Sequence, residues 1–82
     1  MPDIRQMQRF VAVAEYRSFR RAAGYLHVSQ PPLSVSIRNL EDEIGVQLFL
    51  RDRKKIELTK AGEIFLERAR LILSQVDDSI RL

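Results

Sequence analysis

The stretch Ser29–Glu41, "SQPPLSVSIRNLE", has the apolar spacing of a helix yet opens on Pro31 and Pro32. Leu33, Ile37, Leu40 and Ile44 recur every three or four residues, the period of one buried helical face. The prolines mark where that helix begins. The first four N–H groups of an α-helix have no partner within it, so proline loses little there and supplies a helical φ in advance. With Gln30 as the cap, Pro31 and Pro32 fill the first two positions. With Ser29 as the cap, the amides it would usually accept from are proline nitrogens, and its hydroxyl is freed. Either way the helix starts as a stiff tip with few exposed backbone donors. Gly45, free to take positive φ, ends it.

Placed at 100° intervals, the side opposite the apolar row holds Pro31, Val35, Arg38 and Asp42, flanked by Ser34 and Asn39. The tip and first turns carry Gln30, Ser34 and Arg38 but no acid. The last turn carries Glu41, Asp42 and Glu43, which phosphates would repel.

Upstream, Ile4, Met7, Phe10, Val11 and Ala14 form the stripe of a first helix. Ser18 caps a short second one that turns Phe19, Ala22, Ala23 and Leu26 inward, and the alanines let another helix come close. "YLHVS" is then a tight connection into the proline-led helix. Beyond Gly45 the period changes. Val46, Leu48 and Leu50 alternate with Gln47, Phe49 and Arg51, and Ile56 and Leu58 flank Glu57, which predicts a small hairpin with a charged tip. Thr59 stands before a last helix with Ala61, Phe65, Ala69, Ile72 and Val76 on one line and Leu66, Leu73 and Ile80 beside it. This stripe is too apolar to stand alone and runs to the last residue without a stop signal. It is expected to pack on the domain and on a second copy, and the chain to be part of a longer one.

The 82 residues, 45% of them hydrophobic, suffice for one modest core. No cysteine is present, so disulfides and thiolate metal sites are excluded, which suits a reducing, cytoplasmic setting. No apolar run reaches the roughly 18 residues of a membrane span, and the amino terminus lacks the plan of a signal peptide. The net charge of +3 is unevenly spread. Residues 1–40 carry six arginines against Asp3 and Glu15; residues 51–60 carry Arg51, Arg53, Lys54, Lys55 and Lys60 against Asp52 and Glu57. Two basic regions thus flank the acidic 41–43. A neutral-to-basic helix start, reached through a tight turn from a small-residue helix and bordered by cations, suits a recognition helix entering a DNA major groove.

Several separate features then arrive in order: "SFRRAA", "LHVSQPPLS", "LE" followed by "IGVQLF", and "LTKAG". Together they resemble the amino-terminal domain of the bacterial LysR-type transcriptional regulators. The resemblance covers nearly the whole chain. It implies a mainly α fold: a winged helix-turn-helix of three helices and a two-stranded wing at residues 1–58, followed by a long dimerising linker helix at 59–82. It further implies sequence-specific binding of double-stranded DNA by a homodimer, tetramers at full length, and a small-molecule inducer bound by a carboxy-terminal domain outside this chain.

By the same resemblance, Gln30, Pro31, Pro32 and Ser34 fall on groove-facing positions, and Arg51, Arg53, Lys54 and Lys55 on a wing that reaches the backbone and a neighbouring minor groove. Apart from the resemblance, Arg20 and Arg21 are expected to add phosphate or minor-groove contacts through their charge. The chain departs from the family at two places. Val35 and Ser36 stand where Arg and Gln are frequent, so Val35 is free to meet a thymine methyl. Lys55 stands where the wing tip often has glycine, which leaves its turn type open.

Nothing in the sequence suggests an enzyme or a cofactor. His27 is the only histidine and falls in a turn without Cys or paired acids near it. Phe10, Phe19, Phe49 and Phe65 are expected in the core, which leaves no stacking platform for single-stranded RNA. A protein-docking module or coiled-coil adaptor is distinguished from a DNA binder by whether duplex DNA is bound with steep salt dependence.

Overall fold

Among the described residues, three of the four helices start on a side-chain cap. The computed structural model describes residues 1–51 and 55–81. Helix α1 (Ile4–Tyr16) starts with a capping box: Gln6 N donates to Asp3 Oδ1 at 2.8 Å while Asp3 N donates to Gln6 Oε1 at 3.0 Å. It ends at Arg17 in the left-handed region, and Ser18 immediately caps α2 (Phe19–Leu26) by accepting from Arg21 N at 3.1 Å. At the end of α2, His27 takes φ 58° and the amide of Val28 donates back to Ala23 O at 3.0 Å. With His27 N donating to Gly24 O, this is a Schellman closure. It compresses the link to α3 (Gln30–Ile44) into three residues.

Ser29 is the cap of α3 and makes no side-chain cap bond. The amides two and three residues on, its usual donors, belong to Pro31 and Pro32 and carry no hydrogen. Leu33, Ile37 and Leu40 are fully buried and Ile44 partly so, as the spacing predicts. Gly45 closes the helix at φ 85°, a conformation that strains any side chain.

Helices α1, α2 and α3 pack on one another, and α4 (Lys60–Ser79) lies across α1. The core joins Phe10 and Val13 of α1 to Ala22 and Ala23 of α2, the α3 row, and Leu48 and Phe49. The phenylalanines form a chain of ring contacts, Phe10 lying 5.3 Å from Phe49 and 5.2 Å from Phe65, and Phe19 lying 6.3 Å from Phe49. The single stripe read for α1 is too narrow. Ala12 and Val13 are buried while Ile4 is exposed, because α1 is wrapped by three helices instead of resting on one.

The wing is an antiparallel pair, β1 (Phe49–Leu50) with β2 (Glu57–Leu58), Phe49 facing Leu58 and Leu50 facing Glu57. Strict alternation from Val46 does not hold: Val46 is 44% exposed, and Leu48 and Phe49 are both buried. The ladder is only two residues long, so residues 46–48 are a bent connection without strand period. Thr59 ties the wing to α4. Its hydroxyl accepts from Gly62 N at 2.9 Å and donates to Gln47 O at 2.6 Å, and its amide donates to Leu48 O at 3.0 Å.

Candidate nucleic-acid interface

The exposed side of α3 is the one its apolar row predicts. Gln30, Pro31, Pro32, Val35, Arg38, Asn39 and Asp42 are exposed, Ser34 is half-buried, and Val35 stands 56% accessible. Ser36 turns inward and is buried. The surface therefore begins as a rigid apolar tip with amide and hydroxyl groups beside it, and becomes charged only at Arg38.

The acidic end of α3 differs from expectation. Glu41 does not face solvent: it is 7% exposed, and its Oε2 accepts from Leu48 N at 2.7 Å and Phe49 N at 3.3 Å. Its Oε1 accepts from the Arg51 guanidinium. Glu43 accepts from Gln6 Nε2 at 3.1 Å and meets the amino-terminal ammonium at 3.1 Å. The hydrogen bond from Gln6, then that from the terminal ammonium, holds its carboxyl below the ordinary 4.5. The stabilisation is therefore present above that value and is lost as pH falls through the lowered one. Of the three acids expected to repel phosphate, Glu41 is neutralised internally, Glu43 is held against α1, and Asp42 remains open.

Arg51 is consequently not a free cation of the wing. Its guanidinium is held on Glu41 with the side chain only a quarter exposed, so it fastens the wing to α3. Lys55 is exposed; Arg53 and Lys54 lie outside the described residues. On α2, Arg20 and Arg21 are exposed, with the Arg21 guanidinium 6.0 Å from the ring centre of Tyr16, itself 5.3 Å from Tyr25. The signal for Glu41 was present in the sequence, since position 41 lies four residues after Ile37 and three before Ile44. Its two amide donors come from a bend that no local pattern marks.

The described residues contain no group of three His, Cys, Asp or Glu side chains able to hold a metal, and none of their helices is long and apolar enough to cross a membrane.

Residues 4–63 match the model of the bacterial regulatory helix-turn-helix protein, lysR family. The chain belongs to this family. Among its LysR-family relatives, the HTH-type transcriptional regulator AlsR of Bacillus subtilis (strain 168) is 48% identical over 98% of this chain and 26% of its own length. The Escherichia coli (strain K12) hca operon transcriptional activator HcaR is 49% identical over 94% of this chain and 26% of its own. The chain thus spans about a quarter of the curated LysR-family relatives it matches. Among solved structures, the BenM DNA-binding domain in complex with benA site 1 DNA superposes with a TM-score of 0.94 at 42% identity, covering 96% of this chain and 89% of that one. The LysR-family winged helix-turn-helix is therefore the fold of this chain, with three helices, a two-stranded wing and a long last helix.

Proposed function

We propose that this chain is the DNA-binding module of a bacterial transcriptional regulator, a homodimer that reads a specific duplex sequence through α3. The observation that carries the reading is the exposed, proline-stiffened start of α3, opposite a row in which Leu33, Ile37 and Leu40 are fully buried, and bordered by arginines. The LysR-family structure solved with DNA supports it.

In this reading the contacts divide into those that specify and those that position. Gln30 pairs with an adenine edge, Ser34 with a base edge or phosphate, and Val35 with a thymine methyl, while Pro31 and Pro32 let the tip approach closely. Arg38, Arg20, Arg21, Arg53, Lys54 and Lys55 serve phosphates or a neighbouring minor groove. Arg51 contributes by holding the wing at its angle to α3. The second copy docks on α4, where Leu71, Ile72, Val76 and Ile80 are exposed. The module has no catalytic role, needs no cofactor and works in the cytoplasm; an inducer would bind a domain outside this chain.

Selection of bound duplexes from a random pool, followed by salt titration, tests the reading. Gln30→Ala should then cost about 1 to 3 kcal/mol on the selected site and little on random DNA. Equal losses on both would remove Gln30 from base reading.

A further inference from the structure

The wing side of α3 is lined by Arg38 and Arg51, but α1 supplies cations on the opposite side. Arg5 and Arg9, one turn apart on α1, line a cleft whose other wall is Pro32, Val35, Ser36 and Asn39 of α3. The same two arginines line the adjoining cleft against Leu26 and Val28, where α2 turns into α3. Neither guanidinium has an ion-pair or hydrogen-bond partner among the described residues. The acid in the cleft, Asp3, is engaged by Gln6 N through its cap. Two like charges on one helical face repel, and each is relieved by an anion placed between them.

Arg9 is the more enclosed of the pair, half-buried where Arg5 is exposed. It lines both clefts, one against Pro32 and Val35 of α3 and the other against Leu26 and Val28. On the α3 wall Val35 is apolar and Ser36 is buried, so the exposed Asn39 is the polar α3 side chain beside the two arginines. A duplex that receives α3 in its major groove, roughly 12 Å wide, presents a phosphate strand on each side of the helix. In that placement Arg38 would meet one strand and the cleft the other.

We infer that Arg9 is a DNA-positioning residue, its guanidinium binding a backbone phosphate on the α1 side of the groove. This rests on the reading of α3 as the groove-entering helix.

The test is Arg9→Gln, with Arg9→Lys and the stem-preserving Arg9→Met beside it. Binding to the selected and to random duplexes is titrated with salt, and folding is checked by thermal unfolding. Loss of one phosphate contact lowers the slope of log K against log salt by about 0.9, so the gap between wild type and Arg9→Gln narrows about 3.5-fold from 50 to 200 mM salt. That change is expected on both duplexes in Arg9→Gln and Arg9→Met, with the slope retained in Arg9→Lys. An unchanged slope in either folded neutral variant overturns the assignment, and so does a loss confined to the selected site. A wild-type chain that binds no duplex at all overturns the underlying reading, an outcome distinct from these.

Discussion

Glu41 shows how one buried carboxylate can tie the wing to α3. It gathers two backbone amides and a guanidinium, so the first wing strand hangs from α3 instead of from the intervening loop. Glu41→Ala would leave Leu48 and Phe49 N–H unpaired and Arg51 without its counterion. Breaking such a pair from one side costs about 3 to 5 kcal/mol when both partners are buried, and Arg51 is partly solvated, so a loss near the lower end is expected in denaturant unfolding. Glu41→Gln keeps an oxygen for the amides and should lose less. In a double-mutant cycle with Arg51→Met, a coupling indistinguishable from zero would show that the ion pair does not fasten the wing. The separation of Glu41 from Asp42 could be read from helical phase. Its partners could not, since they come from a bend seven residues on.

At the scale of elements, the junction between wing and α4 rests on Thr59 and Gly62. A Cβ added at Gly62 would lie 2.1 Å from Leu48 O, a backbone atom with little room to move. Gly62→Ala should therefore destabilise the fold by about 1 to 3 kcal/mol, the usual cost of overpacking, despite alanine's better helix propensity. A midpoint raised by this substitution in thermal unfolding would mean the contact is relaxed at no cost. The helix ends were legible because capping is chemistry between near neighbours: Ser18 and Thr59 cap as their side chains predict, and Gly45 stops α3 as expected. The wing was less legible. Two short strands form through contacts with α3 and α4, so alternation is a poor guide to which of residues 46–50 are buried.

For the whole molecule, the free length of α4 and the outer side of α3 belong to one geometry. Arg70 of α4 reaches Glu15 of α1 at 3.0 Å, with Ala69 fully buried beside it, and the next residue, Leu71, is 63% exposed. A two-fold pairing along this stretch would fix the distance between two α3 helices and so the spacing of their half-sites, about 34 Å or a multiple. Insertion of half a helical turn of DNA between half-sites should therefore weaken binding sharply. Leu71→Glu should shift sedimentation toward monomer and remove that sensitivity. Undiminished binding to the expanded site by the wild type would argue that each copy binds alone.

By itself the sequence determined the helices, the caps at Ser18 and Thr59, the inward row of α3 and the stiff tip opposite it, while the choice of Ser29 over Gln30 as the α3 cap came from the structure. These follow from periodicity, proline φ and hydrogen-bond partners a few residues apart. Tertiary structure alone decided that Glu41 and Arg51 hold each other, that Leu48 and Phe49 are buried together, and that Arg9 of α1 lines a cleft with Val35 of α3. Each of these depends on which side chains meet after the chain has folded back, and spacing along the sequence does not encode a distance across the core.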